Sequence, residues 1–583
     1  MEIRWRPTLS ATTPDGAQPR VTTPLRHRHG AGWRIVRTNR LGVAATIIAL
    51  VIALPIGVVV AHLFVPQGDT WRHLAATVLA RYVVNTAWLV FGVGLGTLVL
   101  GVASAWLVTM YRFPFSRVFE WALLLPLAVP GYAIAYAYAG LFEFAGPMQT
   151  SLRASFGLAR GEYWFPEMRS LGGAAFILSV ALYPYVYMLA RSAFLAQSIC
   201  ALEIGRTLGL GPFGAFLRVG LPLARPAIAA GVAFALMETL SDFGAVQHLG
   251  VDTFTTGIYR TWFALGDAAA AAQLAVVLLA VVGFVLGLER VLRGRARYEH
   301  TSRRYRPLTP TTLRPVAAML AFVVCLAPIG CGFVLPGSQL LAWAVRAAPR
   351  VIDGRFALEA LNSLWLALGT ALLAVGVALV IAYASRTSRG VATRVAARVA
   401  GQGYAVPGSV IAVGILMPLA WIDHGLDAMA RSLFGVSPGL LIGGTVAALM
   451  FAYVVRFLAV SLKTVDAALT KVTPSMDGAA RALGTSPVGT VVRIHAPLVS
   501  SGLLTAGLLV LVDTMKELPA TLILRPFDFN TLAVRAYELA SDEQLREAAV
   551  PALLIVLVGL LPVVLISRAI ARARPGAHER GVA

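Results

Sequence analysis

Lysine is almost missing from this chain. It occurs three times in 583 residues, at Lys463, Lys471 and Lys516, and none of them follows a glycine. A phosphate-cradling P-loop needs a Gly-Lys step followed by Ser or Thr, so ATP hydrolysis by that route is excluded. Cysteine is equally scarce: Cys200, Cys325 and Cys331 lie in or beside apolar segments without paired spacing, which supports neither a disulfide framework nor a zinc site. No His-rich or Ser/His/Asp grouping offers the catalytic cluster of a membrane-embedded enzyme. The first 40 residues lack the short apolar core and small-residue cleavage site of a signal peptide; they read as a basic tail held in the cytoplasm. Charge is thin, at 13% of residues against 58% apolar. Few soluble cores could hide that much apolar surface, so the composition points to a polytopic membrane protein. The net charge of +21 would suit nucleic acid, but in a membrane protein excess Arg holds cytoplasmic loops on their own side, and no nucleic-acid partner is expected.

About 20 consecutive apolar residues cross a bilayer as helix, and twelve stretches qualify. They are 41–64, 83–110, 119–142, 172–194, 226–248 and 268–290, then 316–336, 358–384, 400–421, 438–461, 498–520 and 548–570. With the tail inside, the inner segments hold 32 Lys plus Arg and the outer ones 13. Positive loops stay cytoplasmic, which places both termini in the cytoplasm.

The chain repeats itself. Asn85-Thr86 returns as Asn362-Ser363 and Val129-Pro130-Gly131 as Val406-Pro407-Gly408, each 277 residues on, while Tyr185-Val186 returns as Tyr453-Val454 after 268. The expected organisation is a basic tail (1–40), a first six-span half (41–290), a basic linker (291–315) and a second half (316–583), a parallel repeat about an axis along the membrane normal. The linker, Arg-rich from Arg293 to Arg306, reads as a solvated connection with some lipid head-group contact.

The most telling repeat is a moderately polar loop between apolar runs. Glu203-Ile204-Gly205-Arg206-Thr207-Leu208-Gly209, then nine residues, then Val219-Gly220-Leu221-Pro222, matches Gly478-Ala479-Ala480-Arg481-Ala482-Leu483-Gly484, then nine residues, then Ile494-His495-Ala496-Pro497. A small-residue helix offers a face another protein can approach closely. Gly209 or Gly484 permits a sharp turn, and Pro222 or Pro497 restarts the chain as a membrane helix. This spacing resembles the EAA loop of bacterial ABC importer permeases. The resemblance covers nearly the whole chain after residue 40, and Phe254-Thr-Thr-Gly-Ile-Tyr-Arg-Thr-Trp-Phe263 with Lys516-Glu-Leu-Pro-Ala-Thr-Leu-Ile-Leu-Arg-Pro526 looks specifically like the ferric iron branch, which implies a place in the cell's inner membrane. It implies an all-α fold with two six-helix halves, the type I permease fold, and two copies of a cytoplasmic ATPase docked on the loops. A periplasmic binding protein would deliver cargo. It implies no cofactor on this chain itself, ATP and magnesium being used by the ATPase. Carried over residue by residue, the coupling positions are Glu203, Gly205, Arg206, Gly209, Leu221 and Pro222 in the first loop, and Asp477, Gly478, Ala479, Arg481, Gly484 and Pro497 in the second. The second loop departs from the family in having Gly478 at the acidic position, with Asp477 one place earlier, and the first has Ile204-Gly205 in place of two alanines.

Charges inside the membrane are costly and by default functional. Span five carries Glu238 and Asp242, and span eleven carries Asp513 and Glu517, 275 residues on. Each pair is four apart, hence on one helical face, about 18 to 30 Å into the membrane from the loop prolines at about 1.5 Å per residue. Hard trivalent iron favours oxygen ligands, so the four acids are a candidate pathway making transient contact with cargo, without a fixed metal site. Against this stands plain neutralisation, by Lys516, Arg191 or Arg456. Two other readings remain open: thiamine or another small solute as cargo, and a proton-coupled secondary transporter, for which duplicated cytoplasmic loops at fixed spacing would have no use.

Overall fold

Apolar runs long enough to span a bilayer can satisfy their backbone there only as helix, and helix dominates the structure. A computed structural model describes residues 40–66, 68–159, 162–196, 210–293, 310–388, 390–470 and 472–572. Among the described residues ten helices are long and apolar enough to cross a membrane, twelve if each of two bent pairs counts as one span. The fold is therefore that of an all-α polytopic membrane protein. Large apolar side chains such as Leu50, Phe91, Phe284, Val316 and Leu372 stand exposed on the spans, a belt that only lipid would cover.

Several boundaries differ from the sequence reading, and the cause is usually proline. Span three bends by 89° between Ser116–Ala128 and Gly131–Phe156, because Pro130 lacks an N–H and disfavours helix in the residue before it. Span nine starts at Gly408, directly after Pro407, and runs to Phe434. Span ten is Val446–Leu469, shifted by the same amount. Span seven runs on from Pro315 to Val351 through a π-helical turn at Gly330–Val334, where the Tyr138 hydroxyl donates to the Cys331 carbonyl at 2.9 Å. Of the basic linker, Thr311–Thr312 pairs in parallel with Tyr111–Arg112 as a two-residue ladder, while residues 294–309 lie outside the described residues.

The leading span of each half packs on the other half. Helix Arg40–Ala61 lies against helices Gly354–Thr387, Val391–Ala400 and Gly408–Phe434, and Leu335–Val351 lies against Gly131–Phe142 of the first half as well as the last span of its own. The contacts are close enough to require glycine. A Cβ on Gly414 would fall 2.3 Å from the Pro55 carbonyl oxygen, and one on Gly332 would fall 2.4 Å from that of Val180. Position 332 is position 55 displaced by the 277-residue repeat, so the same span makes the backbone-close approach in both halves.

Candidate functional site

Spans five and eleven break at their acids. Helix Leu221–Ser241 ends at Asp242, whose backbone turns extended, and a short helix Gly244–His248 follows. Helix Ser500–Met515 ends before Lys516-Glu517, and Pro519–Leu524 follows. A new helix start leaves backbone N–H groups without partners, and in a bilayer these must be met from within the protein. The acids meet them. Asp242 Oδ1 accepts from the N–H groups of Ala245 and Val246 at 3.0 and 3.1 Å. Glu517 accepts from Ala520 N–H at 2.9 Å, Thr521 N–H at 3.1 Å and the Thr521 hydroxyl at 2.7 Å. The expected continuous spans 226–248 and 498–520 are thus interrupted, and the members of each acid pair do not share one unbroken helical face. A carboxylate that caps a new helix competes with continuation of the old one.

The repeated Val-Pro-Gly segments pack beside these breaks. A Cβ on Gly408 would lie 2.3 Å from Arg456 Nη1 and 2.7 Å from Glu517 Oε1; one on Gly131 would lie 3.4 Å from Asp242 Oδ2. The glycine leaves room for the capping acid of its own half.

All four acids line one cavity of about 70 Å³, together with Tyr132, Tyr185, Tyr404, Arg456 and Lys516. That is room for a few waters. Arg456, on span ten, lies 3.1 Å from Glu517 and 3.8 Å from Glu238. Lys516 lies 2.9 Å from Asp513. The Tyr404 hydroxyl donates to Glu238 at 3.4 Å and stands 3.3 Å from the Tyr185 hydroxyl. The acids line a shared space, and Glu238, Asp513 and Glu517 are ion-paired there. Among the described residues no three His, Cys, Asp or Glu side chains are grouped to hold a metal ion. Arg191 pairs instead with Glu120 at 2.9 Å, away from the cavity. Of the three tyrosines spaced by two on span four, Tyr183 and Tyr187 are core residues and Tyr185 lines the cavity. Sequence reasoning missed Tyr132 and Tyr404; the available signal was their position, one after Gly131 and three before Pro407.

Of the coupling loops, Glu203, Gly205, Arg206 and Gly209 lie outside the described residues. Beyond them, Pro212–Ala215 and a π-turn Phe216–Gly220 lead into Leu221, which is half-buried, and Pro222, which is exposed. The second loop repeats that end, with Pro487–Thr490 and a π-turn Val491–His495 before the exposed Pro497. Its leading helix is Pro474–Ala482, which contains Arg481. Asp477 turns inward, accepting from Arg386 Nε at 3.1 Å and standing 2.7 Å from His495 Nε2. Gly478, Ala479 and Leu483 face outward. Gly484 takes φ +74°, a left-handed conformation that glycine adopts without strain, so the sharp turn expected there is present. His495 packs on the Tyr383 ring at 5.1 Å, whereas the first half puts Gly220 against Trp106: an aromatic ring stands on the same side in both copies, and the glycine facing it in the first is an imidazole in the second.

The chain matches no protein-family model. It is similar to the Fe(3+)-transport system permease protein FbpB 2 of Haemophilus influenzae, 27% identical over 495 residues that cover 84% of this chain and 90% of that protein. The putative ferric transport system permease protein FbpB 1 of the same organism is 24% identical over 79% of this chain and 72% of its own length. The sulfate transport system permease protein CysT of Escherichia coli is 28% identical over 211 residues, 36% of this chain but 73% of that protein, which is the proportion expected when one half is matched. With up to twelve possible spans among the described residues, a loop repeated at fixed spacing and relatives of both lengths, the chain is similar to the membrane permeases of ABC importers, in the form that carries two permease halves on one polypeptide.

Proposed function

We propose that this chain is the membrane pathway of an importer for ferric iron. The observation that carries the reading is that similarity to the Fe(3+)-transport permease runs through both halves, over 84% of the chain. A cavity lined by carboxylates and phenols supports it, because a hard trivalent cation takes oxygen ligands.

In this proposal the loops around residues 203–222 and 477–497 face the cytoplasm and seat two copies of an ATPase, which binds ATP and magnesium on its own surface. The inward ion pairing of Asp477 and the outward Gly478 and Ala479 suit a rigid knob with a shallow contact face. A separate binding protein delivers cargo from the other side. Closure of the ATPase pair draws the loops together and shifts the spans by alternating access, so no cofactor is needed on this chain.

The test is reconstitution in proteoliposomes with the ATPase and the binding protein. Radioactive ferric iron should accumulate only when ATP is on the loop side and loaded binding protein on the other. Accumulation of another solute such as thiamine in place of iron would overturn the substrate, and uptake without the ATPase would overturn the mechanism.

A further inference from the structure

The pathway acids come in symmetry-related pairs, but the cations that meet them do not. Arg456 and Lys516 both belong to the second half, and their counterparts in the first half, at the repeat offsets of 268 and 275, are Met188 and Ser241. Each acid of the second half therefore has a cation of its own half in contact, Lys516 at Asp513 and Arg456 at Glu517. The first half's acids are left freer. Asp242 has no ion-pair partner among the described residues, and Glu238 has only the second, longer arm of Arg456 at 3.8 Å. The Glu238 side chain is 27% exposed where that of Glu517 is 2% exposed.

Two further groups on residues lining this space lack partners. Tyr132 of the first half lines the cavity with its ring buried and its hydroxyl without a hydrogen-bond partner, and Arg456, itself buried, leaves its Nε unpartnered. One buried polar group from each half is thus left short of partners at this cavity.

We infer that the charge that meets the cargo comes from the first half, Glu238 with Asp242, and that Arg456 is a tethered counter-ion holding Glu238 until a cationic cargo displaces it. The inference rests on the proposal that a cation crosses this cavity. The guanidinium fork spans two acids: its short contact anchors it to Glu517, and its long contact to Glu238 is the one a higher charge can replace. Anionic cargo would meet the opposite order of charges. Exchange of one cation for another spares the bare carboxylate the cost of standing unpaired in the membrane.

The probe is terbium(III), a hard trivalent cation whose emission is sensitised by nearby tyrosine, titrated into the full chain in nanodiscs. Arg456→Met, which installs the first half's own residue, should tighten terbium binding about tenfold, the effect of removing one like charge at close range in a partly solvated site. Glu238→Gln and Asp242→Asn should each loosen it by about tenfold, and Asp513→Asn by less than either. Should Arg456→Met fail to assemble, Arg456→Lys keeps a charge on Glu517 but loses the fork, and should still tighten binding by about threefold. Binding no tighter in either Arg456 variant, or a loss at Asp513 equal to that at Glu238, overturns the inference. Iron uptake by the wild-type complex separates the two claims: no uptake with this terbium ordering intact removes ferric iron and leaves the counter-ion, and uptake without the ordering does the reverse.

Discussion

At Gly408 a single hydrogen decides whether an ion pair fits. A methyl group there would overlap Arg456 Nη1 and Glu517 Oε1, both ends of side chains that are buried and cannot swing into solvent. At the equivalent Gly131 the nearest atoms would be 3.4 Å away, an ordinary contact. Gly408→Ala should therefore destabilise the protein by roughly 1–3 kcal/mol, as overpacking does, whereas Gly131→Ala should cost well under about 1 kcal/mol. Thermal unfolding of the two variants in the same detergent checks this, and equal midpoints would refute the packing argument. The acids themselves differ in the same way. Asp242 uses one oxygen for both of its backbone contacts, so Asp242→Asn can turn its carbonyl to keep them. Glu517 uses both oxygens and also faces Arg456, so Glu517→Gln must point an NH₂ at a donor and leave Arg456 short of charge. We expect Asp242→Asn to fold like wild type and Glu517→Gln to lose roughly 3–5 kcal/mol, read as lost monodisperse yield and a lowered melting temperature.

Among the elements, the breaks in spans five and eleven were the part least legible in the sequence. Spacing placed Glu238, Asp242, Asp513 and Glu517 near one another, and the structure puts all four on one cavity. The interruption was written in Gly244 and Pro519, one residue beyond each break's acid and aromatic or aliphatic neighbour, yet an apolar run reads through such residues when hydropathy alone is counted. Arg456 was visible as a charge in span ten, but its reach to Glu238 depends on how two distant spans pack, which no local pattern carries. The loops were better written, because turn chemistry is local. Gly484 at φ +74° is one such case: any residue with a Cβ there is strained by roughly 1–2 kcal/mol, although the space around it is open. Gly484→Val should leave the spans folded and weaken attachment of the ATPase, measured as the fraction of ATPase that co-purifies with the chain. Full retention of the ATPase together with normal uptake would remove Gly484 from the coupling role.

For the molecule as a whole, the exchange of leading spans sets how the halves depend on each other. Helix Arg40–Ala61 completes its packing on helices of the second half, and Leu335–Val351, packed on the last span of its own half, also reaches Gly131–Phe142 of the first. Neither half alone would cover the faces prepared for these helices, and the Pro55–Gly414 approach is close enough that adding a Cβ must move backbone. Van der Waals packing of this kind, helped by small residues, is what joins helices where lipid supplies no hydrophobic drive. The covalent linker, by contrast, contributes mainly effective concentration. Cutting the chain within 294–309 and co-expressing the two pieces should therefore still give a complex that co-purifies and transports, at somewhat reduced yield. Gly414→Val, with the linker intact, should do more harm, costing roughly 1–3 kcal/mol through overpacking, while Gly376→Val, where a Cβ meets open space, should be close to silent. The decisive comparison is uptake and co-purification for the cut chain against Gly414→Val: loss in the first and retention in the second would mean that the linker, and not the exchanged helices, holds the two halves together.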